Sequence, residues 1–418
     1  MSDDASHFQT LFIIVLVVNI ALQRWLGKRH LKHVEGHRET VPESFVDKIP
    51  LADHQKAADY TTVRTRVGRV DGLIHAGLLL FWTVGGGLNW LDEFWRAMEW
   101  GQLTTGIAFM VSAFFIFGLL DLPMSLYNTF VIEQRFGFNK TTLATYVSDL
   151  LKQSVLIFCL AVPLLAAVLW LMESSGPLWW LYAWAVWMGF SLFLMWLYPV
   201  AIAPLFNKFS PLEDEALRTR IGSLLARNGL NMQGIFVMDG SRRSGHGNAY
   251  FTGFGANKRI VFYDTLLEGL EPHEIEAVLA HEVGHFRAKH IAKQIGLRGV
   301  LSLLGLALLG WLMHQAWFFA GLGLAQPSLA GALLLFLLVV PTFTFFLTPV
   351  LAAVSRKHEF EADAFAAEQS DASALVTALV KLYKDNASTL TPDPLYSAFH
   401  DSHPPAPVRI AQLTSLDE

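Results

Sequence analysis

One cysteine, Cys159, stands in a chain of 418 residues. An internal disulfide is therefore excluded, as is any cysteine-rich metal site, so a bound metal has to be held by histidines and carboxylates. Cys159 itself lies in an apolar run and reads as packing rather than as a reactive thiol. Charge is scarce as well. Asp, Glu, Lys and Arg make up 16% of the residues against 53% hydrophobic, and mean hydropathy is +0.39. Ordinary soluble domains carry about 25% charged residues, so the composition points to a membrane protein. Positive charge is not in excess either: the net charge is −5 and the pI near 6.3, which leaves no basic face for nucleic acid. No internal repeat or low-complexity tract is present. No basic region precedes the first apolar run, where Asp3 and Asp4 stand instead, and no small-residue cleavage site follows it. That run is expected to be a retained helix rather than a signal peptide.

What the chain does have is apolar length and aromatics. Thirteen Trp and 31 Phe fit the interfacial belts of a membrane protein. Seven stretches, centred on 11–26, 70–91, 107–129, 155–172, 178–203, 296–319 and 329–354, approach or exceed the roughly 20 residues a helix needs to cross a bilayer. Lys and Arg set the orientation. Residues 24–69 hold ten of them, 92–105 only Arg96, and 173–177 and 314–328 none. Alternate loops are thus basic and basic-poor, which puts residues 24–69 in the cytoplasm, together with 206–295 and the tail after residue 354. The expected organisation is five spans with their loops in 1–205, a cytoplasmic segment in 206–295, two spans in 296–354, and a cytoplasmic tail in 355–418.

The segment 207–295 should open with a polar helix over 214–228 and continue through strands near 234–238, 248–254 and 259–263. Gly255, Ala256, Asn257 and Lys258 read as a hairpin turn between the last two. A helix then opens near Pro272, a good first-turn residue, and runs to about His290. The tail should hold helices over 356–368 and 373–383, then a Pro-rich stretch over 392–407.

On the helix after Pro272 the chain reads His281, Glu282, Val283, Gly284, His285. Two histidines four apart project from one face toward one point, and a carboxylate between them lies beside it. A catalytic zinc takes three protein ligands and keeps a position open for water, and Glu282 would be the base for that water. Standing alone, the five residues also fit a solvated helix face. The tail supplies a third ligand: Glu359 and Asp363 share a helix face four apart, while Glu361 points away. A ligating carboxylate followed one turn on by an acid that orients a ligating histidine is the pattern a zinc site requires. Asp121, within the third span, is an intramembrane acid, either lining an internal space or held in a structural hydrogen bond. His246, His273, His290, His358 and His400 read as ordinary surface or core histidines.

The run His281 to His285 with Glu359 to Asp363 resembles the type I CAAX prenyl endopeptidases, integral-membrane zinc proteases. The resemblance extends through Phe130 to Lys140, Ala203 to Phe209, Asn248 to Phe251, Asp393 to His400 and His403 to Pro405. It implies a mainly α fold: seven transmembrane helices enclosing a water-filled chamber, roofed on the cytoplasmic side by a zincin-like catalytic domain with a small β-hairpin or sheet. It further implies one zinc per chain on His281, His285 and Glu359, with Glu282 as base and Asp363 behind a ligand. By the same resemblance His403 and Arg409 hold the site and steady the oxyanion, and Asn248, Ala249 and Tyr250 form an edge strand that binds substrate by backbone addition. The implied reaction removes the last three residues from a prenylated Cys-aliphatic-aliphatic-X terminus, with membrane lipid around the enzyme and no nucleic-acid partner. The sequence lacks the long insertions and dibasic tail of an endoplasmic-reticulum member, so a bacterial inner membrane is expected. Two other functions stay open: a quality-control protease for damaged membrane proteins, and a transporter or scaffold whose zinc is structural. Glu282 speaks against the latter, because a structural site needs no base.

Overall fold

The computed structural model describes residues 2–230, 234–252 and 259–417. The N-terminal half is helical: α1 (Asp3–Gly36), α2 (Leu51–Trp82), α3 (Gly87–Arg96), α4 (Gln102–Tyr127), α5 (Leu143–Ser174) and α6 (Trp179–Leu197). Among the described residues six helices are long and apolar enough to span a bilayer, and the bent pair α2 and α3 makes a seventh. This corrects one detail of the sequence reading, which took 70–91 as an unbroken span. Helix α2 stops at Trp82, Gly86 adopts φ +83°, and α3 leaves at 47°. Consecutive glycines at 85–87 permit that break, since φ above zero is open to glycine without steric cost. The apolar run 296–319 is likewise interrupted, because its helix ends at Leu312 and Phe318 and Phe319 belong to a separate short helix, Ala316–Gly321.

Apolar side chains such as Phe115, Leu151, Val155, Leu304 and Val350 face outward. Exposed apolar surface of that extent belongs against lipid. Inside the bundle Phe12, Phe109, Met110, Leu309 and Phe318 form a buried core. The chain is a multi-pass membrane protein.

The polar segment builds β1 (Phe209–Pro211), α7 (Glu215–Arg227), β2 (Gly234–Met238), β3 (Ala249–Thr252), β4 (Arg259–Tyr263) and α8 (Pro272–Arg287). The sheet order is β1-β2-β4-β3; β2 and β4 run parallel and the two outer pairings are antiparallel. The sequence reading placed β2 to β4 but missed β1, whose three residues include a proline. The turn expected at 255–258 lies outside the described residues. After α9 (His290–Leu312) and α10 (Leu329–Thr344), a short 3-10 turn leads into α11 (Thr348–Gln369), so that α10 and α11 form one long rod. The tail closes with α12 (Ala372–Asp385), α13 (Pro394–His400) and α14 (Ala406–Asp417). Helix α13 falls within the stretch read as merely Pro-rich, and α14 starts at its end: Pro394 sits in the first turn of α13 and Asp393 caps it by accepting from the Tyr396 N–H at 2.9 Å.

A second core joins these parts. Ile260 and Phe262 of β4 pack with Ile221 and Leu224 of α7, Leu279 and Val283 of α8, and Leu375 of α12. The stretch Phe130 to Lys140 ties this unit to the bundle. Glu133 accepts from the Tyr60 hydroxyl at 2.6 Å, Phe138 stacks on His246 at 4.2 Å, and the Lys140 N–H reaches the Arg243 carbonyl at 3.1 Å.

Gly284 decides how closely α8 and α11 approach. A Cβ there would lie 3.0 Å from the Ala362 Cα and 3.1 Å from its carbonyl oxygen, both backbone atoms. Gly284→Ala is therefore expected to lower stability by about 1–3 kcal/mol, the usual cost of overpacking, despite alanine's better helix propensity. Thermal unfolding in detergent measures this; an unchanged midpoint would mean that the two helices separate freely.

Candidate metal centre and active site

Helix α8 begins firmly. Glu271 and Glu274 form a reciprocal capping box around Pro272, and Lys381 of α12 meets the buried Glu274 carboxylate at 2.7 Å. The 3.6-residue period then sets His281 and His285 on one face, toward α11. Their Nε2 atoms lie 3.1 Å apart, and Glu359 of α11 lies 3.5 Å from the first and 3.3 Å from the second. Ligand atoms of His281, His285 and Glu359 all fall within 4.8 Å of one another.

The remote nitrogens of both rings are engaged. His281 Nδ1 meets Asp363 at 2.8 Å. His285 Nδ1 meets His290 Nδ1 at 2.9 Å, and His290 Nε2 in turn meets Glu361 at 2.9 Å. A carboxylate only accepts, so His290 donates to Glu361, accepts from His285, and fixes the tautomer of that ring. His281 donates to Asp363 in the same way. Both Nε2 atoms then face each other at 3.1 Å, an arrangement that calls for a cation between them, a proton or a metal ion. One oxygen of Glu359 is buried without a hydrogen-bond partner, which again leaves a donor atom aimed at the same space. Although burial pulls the His281 pKa down, Asp363 and Glu359 together push it up to about 9. The pocket thus favours positive charge, and two imidazoles with a carboxylate suit zinc in donor type and number, with a coordination position left over.

Glu282 follows His281 on the same helix turn. Burial pushes its carboxyl above the ordinary range, with His281 and His285 pulling partly the other way. Arg409 of α14 is buried, and its guanidinium grips Asp363 at 2.8 and 2.5 Å, with a third nitrogen 3.8 Å from Glu359. His403 differs: its Nε2 stands 3.4 Å from Glu359 while the side chain is 65% exposed. Asp121 pairs with His75 at 2.9 Å, away from this cluster. Ala249 and Tyr250 lie in β3, the free edge of the sheet, and Asn248 immediately precedes it.

His290 and Glu361 were missed in the sequence, where the first read as an ordinary histidine and the second as pointing away. Lys289 separates α8 from α9 with φ +56°, a left-handed conformation that turns the chain so that His290 comes back under His285. His290 is almost fully buried and stacks on His358 at 4.0 Å. Partners behind metal-binding histidines are worth 10- to 100-fold in metal affinity, so His290→Ala is expected to weaken zinc binding by about that factor. Competition with a chromogenic chelator reads it directly, and an unchanged affinity would leave His290 a packing residue.

A membrane bundle carrying a His-Glu-x-x-His helix packed against a glutamate-bearing helix defines an integral-membrane metallopeptidase. Comparison with known proteins agrees along the whole chain. Residues 30–208 match the family model described as CAAX prenyl protease N-terminal, five membrane helices, and residues 211–417 match peptidase family M48. The chain is 34% identical to a CAAX prenyl protease 1 homolog of Arabidopsis thaliana over 439 residues, covering 99% of each chain. It is also 34% identical to the human homolog, covering 83% of this chain and 80% of that one. The crystal structure of S. mikatae Ste24p superposes with a TM-score of 0.91 at 28% identity, covering 97% of this chain and 98% of that chain. The chain belongs to the CAAX prenyl protease family of M48 metalloendopeptidases.

Proposed function

We propose that this chain is a zinc endopeptidase that removes the C-terminal tripeptide from prenylated CAAX proteins. The observation that carries the reading is the convergence of His281, His285 and Glu359 with Glu282 beside them. The first three would hold one zinc, which when bound lowers the pKa of a water to about 7 and polarises the scissile carbonyl. Glu282 takes the proton as the water oxygen attacks the carbonyl carbon. It returns that proton to the departing nitrogen as the C–N bond breaks. Asp363 orients His281, and Arg409, its fork spent on Asp363, keeps that carboxylate in place. His403, exposed beside Glu359, is the free donor for the developing oxyanion.

Substrate would add to the edge of β3. The Tyr263 N–H donates to the Asn248 carbonyl at 2.9 Å, so residues 248 and 250 bond inward to β4, and the backbone of Ala249 and Phe251 faces out. Asn248 Oδ1 accepts from the Ala249 N–H at 2.8 Å, occupying a group a substrate carbonyl would take. Recognition by backbone makes cleavage tolerant of most side chains. The loop charges support a cytoplasmic position for residues 206–295 and 355–418 as catalytic parts, and a bacterial inner membrane belongs to the same proposal.

Protein purified in detergent should contain about one zinc per chain, the stoichiometry of a single three-ligand site, and should cut a farnesylated CAAX peptide. Cleavage confined to unprenylated membrane proteins would move the function to quality control. Zinc without peptidase activity on any of these substrates would refute the reading.

A further inference from the structure

A cavity of about 950 Å³ lies between α1, α2 and the C-terminal segment. His403 lines it, so the cavity adjoins the imidazole that stands 3.4 Å from Glu359. Arg24 of α1 and Arg64 and Arg69 of α2 line it as well. Other arginines of these helices and the turn between them are neutralised: Arg29 by Asp393 at 2.9 Å, Arg38 by Asp59 at 2.8 Å, Arg66 by Glu35 at 2.6 Å. The three in the cavity are not. Arg64 has only the Tyr60 hydroxyl, at 3.3 Å, and the Tyr60 ring. Among the described residues no carboxylate pairs with Arg24, Arg64 or Arg69, and Arg69 Nε is buried without a partner. One acid, Asp401, lines the space, and burial pushes its pKa up, toward the neutral form.

Three guanidiniums in one cavity, none of them facing a carboxylate, make a wall that attracts an anion. Their planar forks suit a carboxylate in particular. A CAAX substrate carries a free carboxylate three residues beyond its scissile bond, and the cavity adjoins the metal centre at His403. We propose that Arg24, Arg64 and Arg69 form the subsite for the substrate's free C-terminal carboxylate. This assignment rests on the reading given under Proposed function. A peptide with a blocked terminus would then be a poor substrate.

The test compares two farnesylated CAAX peptides that differ only in ending as carboxylate or amide, in neutral detergent. Wild type should favour the acid at least about tenfold in kcat/KM, in line with hydrogen bonds to a charged group. Arg24→Gln and Arg69→Gln should bring the ratio to near one, chiefly through KM for the acid. Arg69→Lys should restore part of the preference, and Arg66→Gln, on the outer face, should keep all of it. Equal cleavage of both peptides by wild type overturns the subsite alone. A proportional fall for both peptides in the variants also overturns it, making the arginines structural. Inhibition of wild type but not of Arg69→Gln by added acidic phospholipid, without any acid preference, would give the wall to lipid phosphate instead. If wild type cuts neither peptide, the functional reading fails and the subsite falls with it.

Discussion

Glu282→Gln is expected to lower peptide cleavage by about 10²- to 10⁴-fold, the range a general base contributes, while zinc content stays near that of wild type. The substitution keeps shape and volume and removes only the ability to take a proton. Glu282 makes no hydrogen bond among the described residues, so an amide in its place leaves no partner stranded. The metal-binding atoms belong to His281, His285 and Glu359, and none depends on Glu282 for its tautomer. Burial raises the Glu282 pKa, which makes the carboxylate a stronger base than an exposed one. Paired measurements of metal content and kcat on the same preparation decide the point. Activity within tenfold of wild type would assign the base elsewhere, and loss of zinc would make Glu282 a ligand.

The sequence carried this site further than it carried the fold around it. Residues His281, Glu282 and His285 are legible because a helical period of 3.6 turns their spacing into a shared face. The same period linked Glu359 to Asp363, and Asp363 does reach His281 Nδ1. His290 and Glu361 were not legible, because their meeting depends on the left-handed turn at Lys289 and on the packing of α9 against α11. No local pattern encodes such a meeting. Apolar runs gave the number of spans, since length alone decides whether a helix can cross a bilayer. They did not give the bend after Trp82, where hydropathy continues through the glycines that break the helix. β1 was invisible for a different reason: three residues, Phe209 to Pro211, hold no alternation to detect and gain their place from pairing with β2.

Removing the third ligand should have the largest effect of all. Glu359→Ala is expected to abolish stable zinc binding and to reduce peptidase activity below detection. Two histidines from one helix turn hold a metal loosely; the carboxylate from α11 completes the set and, being 74 residues further along the chain, couples two distant segments. That coupling has a thermodynamic signature. A ligand that binds only the folded state stabilises it by about 4 kcal/mol when present at 1,000 times its Kd. Wild-type protein should therefore lose thermal stability when a chelator strips the metal and regain it with added zinc. Glu359→Ala should start from a lower midpoint and respond to neither treatment. The variant also removes the buried, partnerless Glu359 oxygen and the carboxylate that faces Arg409 at 3.8 Å, so metal-free wild type and metal-free variant need not coincide. If the variant still shifts with chelator, His403, whose exposed Nε2 stands 3.4 Å from Glu359, is the residue to substitute next.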